Sequence, residues 1–400
     1  MNDQIVLLLS IVSSMLVMAF GIPILRRLAY QWRLYDAPTE GRKIHKRFVS
    51  NLGGVAMYAA LMIGFSASGY AQLIDGYPYL IVALTLLFFT GLKDDLSVLS
   101  PYSKLFIQIL ASATVIFGAG FEIDHFFGFL GVEDVPSFLS FPLTMFTLIV
   151  VMNAYNLIDG IDGLAGGFGL IASAFFGVGF WVAGEMAFAV LSVFIAMVMI
   201  VFLYYNTEPA KIFMGDSGSL TIGFLLGIQA VHFTGLSAFP AFNSVFGQTS
   251  PIYAAVFLVL PLYDTLRVYI RRVSKGRSPF LPDNDHVHHI FINLGFSHRK
   301  TSLILYASTL MTILTTVALY RLDIHVIFGM MFLMIFLFMP TFGVKRRFLV
   351  RLGAPLQHWL YQPSKHQDST STMANDFDSS TNMEQSSDQT AVESAPTVGQ

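Results

Sequence analysis

The 400-residue sequence predicts an all-α, polytopic membrane bundle of about eleven transmembrane helices, with its N-terminus outside and its C-terminus cytoplasmic. Three observations carry that prediction. Only 12% of residues are charged and 54% are hydrophobic, whereas a soluble domain carries about 25% charged residues. The apolar residues come in blocks of about 17 to 24, the length a helix needs to cross roughly 30 Å of hydrocarbon. Lys and Arg sort to one side of those blocks. Closed barrels, the other spanning architecture, alternate apolar and polar residues, and these blocks do not.

In chain order the blocks are about 4–24, 52–70, 77–92, 105–121, 138–156, 164–182, 185–205, 218–236, 251–270, 302–320 and 323–341. The first lacks a basic leader and is followed at once by Arg26 and Arg27, the charge order of an uncleaved anchor. With eleven spans, all but Arg321 of the 23 Lys and Arg residues lie on one side. The other side receives Asp75, Glu122, Asp124, Glu133, Asp134 and Glu185. The positive-inside rule makes the basic side cytoplasmic. One miscounted span would spoil the sorting of every later loop. The chain has no cysteine, which excludes disulfide and thiolate chemistry, and nothing in it points to nucleic acid.

Five loops on the basic side hold almost every residue capable of chemistry. GRKIHKRFVSNLGG (41–54) contains Lys43 and His45, and GLKDDLSVLSPYSKLFIQ (91–108) contains Asp94, Asp95 and Lys104. NAYNLIDGIDGLAGG (153–167) contains Asn153, Asp159 and Asp162, and NTEPAKIFMGDSGS (206–219) contains Asn206 and Asp216. The last, RRVSKGRSPFLPDNDHVHHIFINLGFSHRK (271–300), contains Arg271, Arg272, Arg277, His286, His288 and His289.

Each motif also has a plain structural reading. Asp94 and Asp95 could end a helix in solvent, but ionisable residues beside a membrane default to function. Asp159 or Asp162, just ahead of an apolar run, makes a good helix N-cap. Asp-Ser-Gly is turn material. Imidazoles suit zinc, but the chain offers neither Cys nor an HExxH helix. Taken together, hard carboxylate oxygens interleaved with bases suit Mg²⁺, with Mn²⁺ as the alternative ion, and a polyphosphate. Mg²⁺ takes one or two protein carboxylates and lets substrate phosphates complete its shell. Phosphoryl transfer asks a protein mainly for positioning and charge neutralisation.

GLKDDL, NAYNLIDGIDGLAGG, NTEPAKIFMGDSGSL and SPFLPDNDHVHHIFINLGFSHRK together resemble the polyprenyl-phosphate N-acetylhexosamine-1-phosphate transferases, the glycosyltransferase 4 family. The HVHH loop followed by NLGFSHRKT resembles the WecA-like branch rather than the MraY-like one. The resemblance covers about residues 1–345 and implies a reaction. Undecaprenyl phosphate would attack the β-phosphate of a UDP-sugar, giving undecaprenyl-diphosphate-sugar and UMP with Mg²⁺. It implies Asp216 as the principal metal ligand, with Asp159 as a second. Asp94, with Asp95 beside it, would approach the lipid phosphate, and Lys104 with Gln108 would face the same group. Asn153, Asp159 and Asp162 would stand beside the metal, the diphosphate or the nucleotide, and Asn206 on the uridine side. His286, His288 and His289 would meet the sugar phosphate, with Arg271, Arg272 and Arg277 as anion anchors. Lys43 and His45 would touch the lipid headgroup, although the proline often found before Gly-Gly in that loop is absent here.

On this reading the chain divides into a transmembrane catalytic domain (1–345), a basic juxtamembrane segment (346–361) and a Ser/Thr/Gln/Asp-rich tail (362–400) whose composition predicts disorder. The expected setting is the bacterial inner membrane, with the site facing the cytoplasm and a homodimer as one assembly. A phosphate monoester has its second pKa near 6, so the lipid phosphate is already mostly dianionic and Asp94 is expected to orient rather than to abstract a proton. The alternatives are another UDP-N-acetylhexosamine, phospho-MurNAc-pentapeptide as the transferred group, an ion-coupled transporter, and an aspartyl protease centred on Asp264.

Overall fold

The computed structural model describes residues 3–32, 49–276 and 286–338. Lys43, His45 and Arg277 lie outside the described residues, as do the expected juxtamembrane segment and tail. The described residues form helices α1 (Asp3–Gln31), α2 (Gly53–Ala67), α3 (Tyr77–Leu96), α4 (Pro101–Ala119), α5 (Ser137–Ile158), α6 (Leu164–Ala183) and α7 (Met186–Asn206). They continue as α8 (Gly215–Thr234), α9 (Pro240–Phe246), α10 (Ser250–Phe257), α11 (Val259–Ser274), α12 (Val287–Asn293), α13 (His298–Ala318) and α14 (Ile324–Phe338). The protein is an all-helical membrane bundle.

Within the described residues every predicted block is helical over most of its length. Seven helices, α1, α4, α5, α6, α7, α8 (extended to Ala238) and α13, are each long and apolar enough to cross a bilayer alone. α2 and α14 are shorter apolar helices, and α3 ends on the charged sequence LKDDL. The block expected at 251–270 is not one straight span. It breaks at Leu258 into α10 and α11, which are bent by 76° and count as an eighth span only if taken together. α11 places Asp264, Arg267, Arg271 and Arg272 among its apolar residues, and such a mixture turns a helix away from lipid.

α8 is the central post. It is buried along nearly its whole length and packs against α3, α5, α2, α6 and α10. Small residues allow this: a Cβ added to Gly223 would stand 3.1 Å from the Cα of Met152 on α5, the close backbone approach expected of small residues between membrane helices. Consecutive helices from α3 to α8 alternate in direction. The C-terminal ends of α3, α5 and α7 therefore meet the N-terminal ends of α4, α6 and α8, as their cross-contacts show.

Local chemistry sets these ends. Ser100 caps α4, its side chain accepting from Ser103 N at 3.1 Å ahead of Pro101, which puts Lys104 in the first turn. The segment at 50–54 pairs with the loop before α8: Phe213 N donates to Ser50 O, Gly53 N to Phe213 O and Gly54 N to Met214 O. Gly215 enters α8 with φ +68°, where a Cβ would lie 2.1 Å from Asn51 O, so only glycine serves there.

Candidate active site

Lys104, Asp94 and Asp216 form the centre. Lys104 Nζ sits between the two carboxylates, 3.0 Å from Asp94 Oδ2 and in contact with Asp216 Oδ2. The other oxygen of Asp94 accepts from Leu99 N at 2.5 Å. Asp216 Oδ1 accepts from Asn156 Nδ2 at 2.8 Å, and the same amide reaches Ser219 Oγ at 2.6 Å. Asn156, three residues after Asn153 on α5, was not among the residues singled out from sequence. Its i+3 spacing from Asn153 was the available signal.

Asp95 does something different from its neighbour. Its carboxylate accepts from Asp216 N at 2.7 Å, from Ser217 N at 3.0 Å and from Ser217 Oγ at 2.7 Å. A side chain of α3 thus caps the N-terminus of α8, where free amides and the helix dipole favour an anion. This contact sets where Asp216 stands.

The turn between α5 and α6 completes the acidic rim. Asp159 keeps part of its surface open, yet the protein around it pushes its carboxyl well above the ordinary range, and Asp216, Asp95 and Asp162 push the same way. Asp159 therefore stands close enough to three other carboxylates to be repelled by them. Asp162 is buried: Oδ2 accepts from Ala210 N at 2.9 Å, and its own backbone N–H donates to His298 Nδ1 at 3.3 Å. Neither aspartate caps α6, whose N-cap is Gly163 with φ +82° and no side-chain cap bond. The capping alternative is corrected by that geometry.

Asn206 is a buried brace. Its Oδ1 accepts from Gly163 N at 2.8 Å and its Nδ2 donates to Ile212 O at 2.9 Å, tying the acidic turn to the loop before α8. Asn153 pairs with Gln108, donating from Nδ2 to Oε1 at 2.8 Å and locking α5 to α4. His288 is 2% exposed; burial, with the neighbouring His289, holds its pKa down at about 3. A Cβ on Gly160 would be 2.3 Å from His288 Nε2, so the histidine helix α12 is seated directly on the acidic turn. His286 is buried and His289 half-buried; at the end of α11 Arg272 is buried and Arg271 half-buried. Residues missed from sequence are Asn156 and His298; Asp264, raised there only as a protease candidate, is met below.

Among the described residues no three His, Cys, Asp or Glu side chains converge as a metal cage. The donor set fits an ion that needs no cage: hard carboxylate oxygens of Asp216 and Asp159 sit amid mutually repelling charge, and Mg²⁺ takes one or two of these plus phosphate oxygens.

A helical membrane bundle with acidic, amide and basic side chains gathered at one end defines a membrane-embedded phospho-group transferase. Comparison with known proteins gives the class its family. Residues 77–234 match the model of glycosyl transferase family 4. The chain is 32% identical over 304 residues to a Bacillus subtilis (strain 168) protein named "Probable undecaprenyl-phosphate N-acetylglucosaminyl 1-phosphate transferase", covering 75% of this chain and 81% of that one. It is 35% identical over 301 residues to the decaprenyl-phosphate N-acetylglucosaminephosphotransferase of Mycolicibacterium smegmatis, covering 70% and 74%. With the undecaprenyl-phosphate alpha-N-acetylglucosaminyl 1-phosphate transferase of Escherichia coli (strain K12) it shares 28% over 335 residues, 81% and 87% of the two chains. The chain belongs to glycosyl transferase family 4.

Proposed function

We propose that this protein transfers N-acetylglucosamine 1-phosphate from UDP-N-acetylglucosamine to undecaprenyl phosphate at the cytoplasmic face of a bacterial inner membrane, releasing UMP. The observation that carries the reading is the bridge of Lys104 between Asp94 and Asp216, flanked by Asn156 and the turn of Asp159 and Asp162. The relatives named above support the sugar and the lipid, and the sorting of Lys and Arg supports the orientation.

The roles follow from the contacts. Lys104 is a point charge at the end of a helix, suited to neutralise a phosphate arriving from the bilayer. Asp94 has one oxygen on Leu99 N and the other on Lys104; it orients the lysine and the incoming phosphate and is poorly placed to take a proton. Asp95 fixes the start of α8 and so holds Asp216 in place. Asp216 and Asp159 would hold Mg²⁺, which supplies charge neutralisation of the diphosphate. His286, His288 and His289 close the site over the sugar phosphate, His288 as a neutral group. Asn206 acts through the loop that it braces.

In this step the phosphate oxygen of the lipid forms a bond to the β-phosphorus of the UDP-sugar, the bond from that phosphorus to the α–β bridging oxygen breaks, and UMP leaves with the electron pair. The test is UMP release by detergent-solubilised protein. UMP should form only when UDP-N-acetylglucosamine, polyprenyl phosphate and Mg²⁺ are all present; absence of UMP with every UDP-sugar tried overturns the reading and favours a transporter.

A further inference from the structure

α11 carries a carboxylate to which the scheme above gives no task. Asp264 is 1% exposed. A carboxylate so deeply buried is costly unless every lone pair has a partner. Asp264 Oδ2 accepts from His286 Nδ1 at 2.9 Å. Its Oδ1 accepts from Val287 N at 2.8 Å and from Arg267 Nη2 at 3.1 Å. His286 immediately precedes α12 and Val287 is that helix's first residue. One side chain of α11 therefore holds both the ring and the backbone at the start of the helix that bears His288 and His289.

What α12 touches gives the clamp its meaning. Its rings form one block: those of His286 and His288 are 5.8 Å apart and nearly parallel, and those of His288 and His289 are 4.3 Å apart. His288 presses on Gly160 of the acidic turn. A slip at the start of α12 would lift His288 off Gly160 and move the rings stacked with it. The clamp also settles a proton. With a carboxylate on Nδ1, neutral imidazole carries its hydrogen there, and Nε2 is the nitrogen left for a ligand.

We propose that Asp264 is a positioning residue for the sugar-phosphate transfer: it keeps His286 protonated on Nδ1 and α12 docked on the acidic turn, so that His286 meets substrate through Nε2. The inference rests on the proposed reaction for its readout in turnover, and on geometry alone for the docking of α12. Arg267, one turn along the same helix, offsets the charge of the buried carboxylate.

The experiment compares wild type, Asp264→Asn, Asp264→Ala, His286→Ala and the double variant Asp264→Asn/His286→Ala, each as full chain in detergent. Asp264→Asn keeps the size and one acceptor oxygen. It should lower kcat by about 10- to 100-fold, the usual effect of removing the group that orients a functional histidine, with KM for UDP-N-acetylglucosamine held within about threefold. The double variant should be no slower than His286→Ala, because the two residues act as one unit. If the two losses multiply, or if Asp264→Asn turns over like wild type, the proposal is wrong. Hydrogen exchange reads the same claim without turnover. Amides 287–293 should exchange faster in Asp264→Ala while those of α8 do not change; unaltered exchange at 287–293 overturns it. A wild-type protein that releases no UMP would defeat the reaction assigned above, and the exchange result would still decide the clamp.

Discussion

Replacing the two adjacent aspartates by asparagine, one at a time, should give two different phenotypes. Asp95 accepts three hydrogen bonds from the first turn of α8. An asparagine keeps one acceptor oxygen and turns an NH₂ group toward amides that also donate, so at least one charge-assisted bond is lost. Such bonds contribute about 1.5–3 kcal/mol each. Loss of the carboxylate from the helix N-terminus removes about 0.3–1 kcal/mol more. Because Asp95 is partly exposed, solvent screening takes the sum to its low end, about 2 kcal/mol. Asp94 contacts Lys104 and one loop amide in a more open place, and its loss should cost less than about 1 kcal/mol. Intrinsic-fluorescence melting of the detergent-solubilised protein, with three tryptophans as reporters, measures the difference. Asp95→Asn should melt about 2–3 °C below wild type, the shift that about 2 kcal/mol produces against an unfolding entropy of about 2.1 cal/mol/K per residue over a chain of this length. Asp94→Asn should melt within about 1 °C of wild type, while both lose UMP release. Equal melting points for the two variants, or an Asp95→Asn protein as stable as wild type, would refute the assignment of Asp95 to the helix and Asp94 to the ligand.

Other outcomes follow from the same geometry. Lys104→Met removes the charge between Asp94 and Asp216 and should lower kcat by about 100-fold or more, the size of losing one preorganised charge partner; initial rates of UMP release measure it. Gly160→Ala places a methyl 2.3 Å from His288 Nε2, which must displace α12; turnover should fall by about tenfold with little change in melting point. His288, with its pKa lowered to about 3, stays neutral in the fold while the unfolded chain takes up a proton near pH 6.5. Stability should therefore fall as pH drops below 6.5, by about 2 kcal/mol between pH 7 and pH 5 from this residue. Melting curves of wild type and His288→Gln at those two pH values should show a smaller acid loss in the variant.

Much of this fold could be read from the sequence because lipid imposes simple rules. Apolar runs of spanning length had to be helices, and all the motifs fell at span ends of the same parity, which is why Asp94, Asp159 and Asp216 meet. The break at Leu258 escaped because averaged hydropathy over 251–270 conceals Asp264 and Arg267, while Arg271 and Arg272 fall just beyond that stretch. The bond of Asp95 to the start of α8 spans 121 residues, and no local pattern announces it. Asp264 was read only as a lone aspartate that could suit a protease; its partner, His286, became visible once α11 turned away from α10. Asn206 kept its place beside the site, but its amide proved to be spent inside the protein on Gly163 and Ile212.

The most direct test of the account follows the β-phosphate. With UDP-N-acetylglucosamine labelled in that position, purified protein, polyprenyl phosphate and Mg²⁺, the label should move into the lipid fraction with one UMP released for each labelled lipid. Label remaining on the nucleotide as UDP, with sugar alone on the lipid, would contradict phospho-sugar transfer at the Lys104 cluster.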